Sequence, residues 1–317
     1  MGLAATNGGR NYDSHLVPVK YNATHFDWYV TSPVGSRWAL PQGLVKIRGP
    51  VDNPAQTVIY SEADNRKRIH DTPSGPDGTG QVWIQNIIKR ENGHLLGIGH
   101  YESNATRGEK KKNFRLSTIY STDGGSNWSF HAHFLRAKDL HQNVGGGAMA
   151  FKDGYYYLYY TECQNTRPKR FGVVRCSESD LWAAADLASA PPFKKHYKGG
   201  WTEPGMGGDY TNLPFWDLGL KSCHQAAAYN TYVDKFMYTA GAGGKLLIAF
   251  SDDGVTGWTV KAALDLPNKG GKFWYSCIAP EPGEEVNGTV GRTFYVYTDD
   301  HGKSDQWITK VTLNINK

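Results

Sequence analysis

Three times along this chain an aromatic, strand-like run leads to a serine-aspartate turn that closes on tryptophan. QNIIKRENGHLLGIGHYE (85–102) leads to YSTDGGSNW (120–128), and HQNVGGGAMAFKDGYYYLYYTE (141–162) leads to CSESDLW (176–182). CHQAAAYNTYVDKFMYTA (223–240) leads to SDDGVTGW (251–258). A fourth unit, YSCIAPEPGEEVNGTVGRTFYVYTDD (275–300), leads to the terminal run QWITKVTLNI (306–315). The serines stand at 121, 177 and 251, so a unit covers about sixty residues and 317 residues hold five. Each unit carries strand signals for a four-stranded antiparallel sheet, the size of a propeller blade. The weaker segment from about 15 to 70 must supply the remaining blade. The expected fold is all-β: a five-bladed β-propeller of four-stranded antiparallel blades, one domain over 15–317 behind an N-terminal extension over 1–14.

Composition agrees. The 37 glycines and 13% aromatics suit many short strands joined by tight turns, and 39% hydrophobic residues suit a packed interior. No run reaches 18 apolar residues, so no membrane helix is expected. A net charge of +5, scattered along the chain, is too small to imply nucleic acid but suits an acidic glycan. The start, MGLAATNGGRNYDSH, has no basic stretch followed by an apolar core. Met1-Gly2 to Thr6 fits the bare myristoylation pattern, and a start added before a mature, extracellular domain is the plainer reading. A monomer is expected. The cysteines at 163, 176, 223 and 277 include no CxxC pair. If the 164–170 loop closes a regular hairpin, Cys163 and Cys176 stand roughly 16 Å apart, beyond a disulfide. A Cys223–Cys277 bridge is conceivable.

In Ser121-Thr-Asp123-Gly-Gly125-Ser-Asn-Trp128 the Ser and Asp side chains can bond local amides, Gly permits positive φ, and Trp packs between sheets. This is the Asp-box pattern S-x-D-x-G-x-x-W. The copy at 251–258 carries Val255 in place of the second glycine, and that at 177–182 is partial. With the D-G-x-Y-Y-L-Y-Y strand at Asp153–Tyr160, the chain resembles the five-bladed propeller glycoside hydrolases of families 43, 32, 62, 117 and 130. The resemblance implies that the innermost strand of each blade begins at the mouth of an axial funnel, where its first polar residues line the active site. It also allows a structural calcium ion on the axis. Sialidases need an arginine triad and an F-R-I-P-like start, of which Ile47-Arg48-Gly49-Pro50 is a distant echo.

The matching strand openings are Asp27, Gln85-Asn86, His141-Gln142-Asn143, Cys223-His224-Gln225 and Tyr275-Ser276. Only the first holds a carboxylate, unlike the two-carboxylate machinery of family 43. Asp27 is a candidate general base for water at the sugar C1, or else a hydrogen-bonded structural Asp. His141 and His224 open corresponding strands and can transfer protons, with family 117 offering a histidine acid as precedent for His224; duplicated blades also duplicate structural histidines. Glu203 and Asp209 lie in WTEPGMGGDYTN, a glycine-rich stretch long enough to fold over a pocket or to act as a connector. Glu102 and Glu162 end second strands, and such ends could meet the funnel or face solvent, an exposed glutamate being the commoner outcome. Gln85, Asn86, Asn143 and Gln225 are candidates for binding sugar hydroxyls. Trp83, Trp274 and Tyr275 are candidate stacking platforms or inter-blade packing. Lys110–Lys112 and Arg167, Lys169 and Arg170 form basic loops, ordinarily solvated, that would favour uronate or sulfate if they share the funnel rim.

The leading expectation is a glycoside hydrolase acting on a glycan, with Asp27 as base and His224 or a loop carboxylate as acid. A polysaccharide lyase would instead use His or Tyr to take the C5 proton of a uronate, and would not need the missing carboxylates. A non-catalytic carbohydrate-binding propeller is the third reading.

Overall fold

The computed structural model describes residues 16–33, 42–60, 80–103, 114–139, 142–162, 167–222, 224–266, 275–299 and 306–314. They form five sheets. The first holds β1 (Leu16–Lys20), β2 (Phe26–Pro33), β3 (Gln42–Gly49) and β4 (Thr57–Tyr60). The second holds β5 (Gly80–Lys89), β6 (Leu95–Ser103), β7 (Arg115–Ser121) and β8 (Ser129–Leu135). The third has five strands: β9 (Val144–Lys152), β10 (Tyr155–Glu162), β11 (Arg170–Ser177), β12 (Lys194–Tyr197) and β13 (Gly200–Pro204), with helix α1 (Glu178–Asp186) between β11 and β12. The fourth holds β14 (Ala226–Asn230), β15 (Lys235–Ala242), β16 (Lys245–Ser251) and β17 (Thr259–Asp265). The fifth holds β18 (Ser276–Pro280), β20 (Thr293–Asp299) and β21 (Gln306–Thr312); short β19 (Thr289–Val290) leaves it to pair in parallel with β14. The five-bladed all-β propeller is therefore the fold. Two details differ from expectation. Blade three has a fifth strand, and blade five shows three strands among the described residues, the C-terminal β21 completing it.

The aromatic strand β10 shows why such a sequence builds a ring. Side chains alternate between the two faces of a strand, yet β10 is buried almost throughout. Tyr156, Leu158 and Tyr160 pack towards blade two with Ile98, Leu116 and Phe134. Tyr157 and Tyr159 pack towards blade four with Phe215, Tyr238 and Trp258. One sheet thus feeds two separate cores, and the described residues form five such cores, one between each pair of neighbours. The last joins blade one to blade five, where Phe26, Trp28 and Val30 meet Cys277, Ala279, Tyr295 and Tyr297. The Trp28 and Tyr297 rings meet edge to face at 4.9 Å.

The serine-aspartate turns form where the pattern placed two of them. Asp123 Oδ1 accepts from Ser121 Oγ (2.8 Å) and from the amides of Ser126 and Asn127 (3.0 and 2.9 Å), and Trp128 Nε1 donates to the Gly125 carbonyl (3.0 Å). Asp253 does the same for Ser251, Val255 and Thr256. The partial copy forms no such turn. Ser177 instead caps α1, its hydroxyl accepting the Asp180 amide at 3.1 Å, and Trp182 is buried on the helix. Cys176 and Cys277 are buried free thiols, and Cys163 and Cys223 lie outside the described residues.

Candidate functional site

The innermost strands β1, β5, β9, β14 and β18 converge on an axial cavity of about 50 Å3. Its polar lining comes from Gln85, Asn86, Gln225, Ser276 and Cys277; the remainder includes Val17, Ile87, Met149, Ala226 and Ile278. Two irregularities shape it. The β5–β6 register passes from Ile84↔Gly99 to Asn86↔Ile98, so Gln85 is an extra residue on β5. The β9–β10 register passes from Ala148↔Tyr159 to Gly146↔Tyr160, making Gly147 the extra residue on β9. Bulges re-aim side chains, and these two face each other. A Cβ on Gly147 would lie 2.5 Å from Gln85 Oε1, and Gly147 has φ +137°, which favours glycine. Asn86 Nδ2 donates to the Gly147 carbonyl.

From this floor the contacts run between blades. Gln85 Nε2 and His224 Nδ1 are 2.9 Å apart. His224, just before β14, forms a parallel bridge with Tyr275, just before β18, and the Ser276 amide donates to the His224 carbonyl at 3.0 Å. The His224 ring lies between two others: Tyr275 stacks on it at 4.8 Å and His100 of β6 at 5.3 Å. His100 in turn meets Phe114 edge to face. Ser276 Oγ donates to Gln225 Oε1 at 3.2 Å. Blades two, four and five therefore meet at a buried imidazole, His224 being 4% exposed.

Of the residues expected at the site, Gln85, Asn86, His224, Gln225 and Tyr275 come together here. Asn143 is buried one strand opening away, its Oδ1 accepting the Phe114 amide at 3.2 Å, which ties blade three to blade two. His141 and Trp274 lie outside the described residues, as does Lys110–Lys112. Arg170 is exposed at the start of β11, in register with Glu162 and hence at the end of blade three where β9 begins. Arg167 is exposed beside it.

Asp27 requires a correction. It lies on β2, the second strand, not on innermost β1, and its register partner is Val19 near the far end of β1. Its carboxylate is held by Arg48 (2.6 and 3.1 Å) and by Lys46 (3.1 Å), and Lys46 also donates to the Gly124 carbonyl of the first serine-aspartate turn. That geometry makes a structural ion cluster. Glu203 is also displaced: it sits on β13, the outermost strand of blade three, four strands or roughly 19 Å from β9. Its Oε2 accepts the Asp209 amide (3.2 Å), and Asp209 pairs with Lys138 (2.7 Å) at the outer join of blades two and three.

Three further groups are buried: His100, Glu162 and Lys195. His100, inside the apolar run LLGIGHY, carries no signal to separate it from a packing residue. Glu162, for which both a funnel and a solvent position are open in the sequence, is 4% exposed; burial raises its pKa against the lowering pull of Lys195, Arg170 and the Lys138 amide. Lys195 is fully buried, donates to the Arg136 and Gly208 carbonyls, and is pushed down to about 8 by burial.

The axial cavity does not suit calcium, which takes six to eight oxygen ligands and favours carboxylates. No carboxylate lines the cavity, and no cluster of His, Cys, Asp or Glu that could hold a metal occurs among the described residues.

No protein-family model matches the sequence, and neither does any curated protein. Solved structures do. An α-L-arabinofuranosidase from Clostridium thermocellum is 12% identical with a TM-score of 0.55, covering 98% of this chain and 93% of its own. The catalytic domain of a Coprinopsis cinerea GH62 α-L-arabinofuranosidase is 9% identical with a TM-score of 0.53, covering 97% and 92%. The Hadza microbial sialidase Hz136 is 15% identical with a TM-score of 0.54, covering 99% of this chain and 55% of its own, so the chain spans about half that sialidase. At such identities the likeness shows the fold, a propeller of the kind these glycoside hydrolases have.

Proposed function

We propose that the protein cleaves glycosidic bonds in a poly- or oligosaccharide, as a monomeric extracellular glycoside hydrolase. The observation that carries this reading is the polar set at the axis, where Gln85 and Tyr275 contact His224 and Gln85, Asn86, Gln225 and Ser276 line the adjoining cavity. Amides and hydroxyls of this kind match sugar hydroxyls, and an imidazole exchanges protons near neutral pH. The fold shared with arabinofuranosidases and sialidases supports it. Arg167 and Arg170, at the end of blade three where β9 begins, suit a glycan bearing uronate or sulfate.

One observation favours a lyase as the second reading. The axis carries a stacked His224–Tyr275 pair, and among the described residues no carboxylate lines the adjoining cavity, which suits proton abstraction beside a uronate carboxylate better than two-carboxylate hydrolysis. A panel of neutral and uronic polysaccharides separates the readings. New reducing ends without a chromophore support hydrolysis; reducing ends with the ultraviolet absorbance of a C4=C5 unsaturated uronate support elimination. Binding without either leaves a carbohydrate-binding propeller and overturns both.

A further inference from the structure

Two buried amide atoms at the axis, Gln85 Oε1 and Gln225 Nε2, have no hydrogen-bond partner in the protein. Their residues are 7% and 4% exposed and line the same cavity of about 50 Å3. A buried polar atom left without a partner is costly, because it has given up water for nothing. One is an acceptor and the other a donor, so neither a cation nor an anion satisfies both. A water molecule does, accepting from one and donating to the other, and a polar cavity above about 15 Å3 holds one.

We infer that the axial cavity binds an ordered water that completes a hydrogen-bond chain from Ser276 through Gln225 and Gln85 to His224, and that Gln85 and Gln225 are positioning residues for that imidazole. The chain has a single direction. Ser276 Oγ donates to Gln225 Oε1. Gln225 Nε2 donates to the water, and the water donates to Gln85 Oε1. Gln85 Nε2 then donates to His224 Nδ1, which must accept. A neutral imidazole that accepts at Nδ1 carries its proton on Nε2. The chain thus fixes one tautomer of His224, and Gly147 leaves room for it, since a Cβ there would meet Gln85 Oε1 at 2.5 Å. The consequence for proton transfer rests on the proposed function; the tautomer itself does not.

The test uses the 317-residue protein labelled with 15N-histidine, at mildly alkaline pH. Long-range 1H–15N correlation reads the tautomer, with the His224 signal identified by its loss in His224→Gln. Wild type is expected to show the Nε2–H form alone. Gln225→Met, which removes the far end of the chain, is expected to lose the single-tautomer pattern. A high-resolution crystal structure of wild type should place a water between the two amides. A wild-type signal with Nδ1–H, an unchanged tautomer in Gln225→Met, or a dry or metal-filled cavity overturns the inference. None of these measurements needs a glycan, so an inactive polysaccharide panel would sink the proposed function and leave this result standing.

Discussion

His224 illustrates how burial changes the experiment that a candidate proton-transfer residue needs. Truncation to alanine would empty the space between His100 and Tyr275, so lost activity and lost packing would be confounded. His224→Phe keeps a ring in the stack and removes both nitrogens. Turnover is expected to fall roughly 10²- to 10⁴-fold, the usual share of acid–base catalysis, while the folded fraction measured by thermal melting stays high. Undiminished turnover in that variant would reduce His224 to a packing residue. Lys195 makes a different kind of prediction. Its folded pKa, about 8, lies below the 10.5 of a free lysine, so between those values the unfolded chain binds the extra proton and stability rises with pH. Below about 8 both states are charged and the burial penalty is fully present. Denaturant unfolding at a series of pH values should show a gain of up to about 3 kcal/mol across that window, absent in Lys195→Met.

Among the turns, the two serine-aspartate copies differ for a reason visible in one position. Gly124 and Gly125 both take positive φ, and Gly125 offers its carbonyl to Trp128. Val255 stands at the second glycine's place and takes no positive φ; the left-handed residues there are Gly254 and Gly257, and Trp258 Nε1 has no partner. Asp123→Ala removes the acceptor of Ser121, Ser126 and Asn127 together and is expected to cost roughly 2–5 kcal/mol, read by denaturant melts, with turnover per folded molecule unchanged. A loss of turnover instead would bring this outer turn into the chemistry. The facing bulges were the part that no spacing could announce. The repeat marks Gln85 and Asn86 as strand-opening residues, but Gln85 is the bulged residue in the middle of β5, answered by Gly147 on β9. A bulge leaves no mark in hydrophobic alternation when both strand faces are buried. Asp27 stands on β2 for a related reason: β1, LVPVK, is short and shows no polar alternation before its final Lys20, so FDWYV reads as the first strand.

What was legible was therefore the ring rather than its interior. Turn chemistry and aromatic runs repeat because every blade must meet two neighbours with both faces, and that demand is written into β10 and its counterparts. The side chains at the axis obey no such repeat, since each blade contributes something different to a shared cavity. Closure of the ring is the remaining property of the entire chain. Among the described residues the first and last blades share no strand; they are joined by the core around Trp28 and Tyr297 and by the bond from Tyr297 Oη to the Val51 carbonyl. Trp28 is fully buried in that core. Trp28→Ala is expected to cost about 3–5 kcal/mol, the range for a deleted core aromatic. Because the loss falls on the one join between the chain's two ends, exchange should rise first there. Amide hydrogen exchange should show lost protection in β2 and β20 before β10 and β15. A uniform loss across all five blades would mean that the propeller unfolds as one cooperative unit and that its closing join is no weaker than the others.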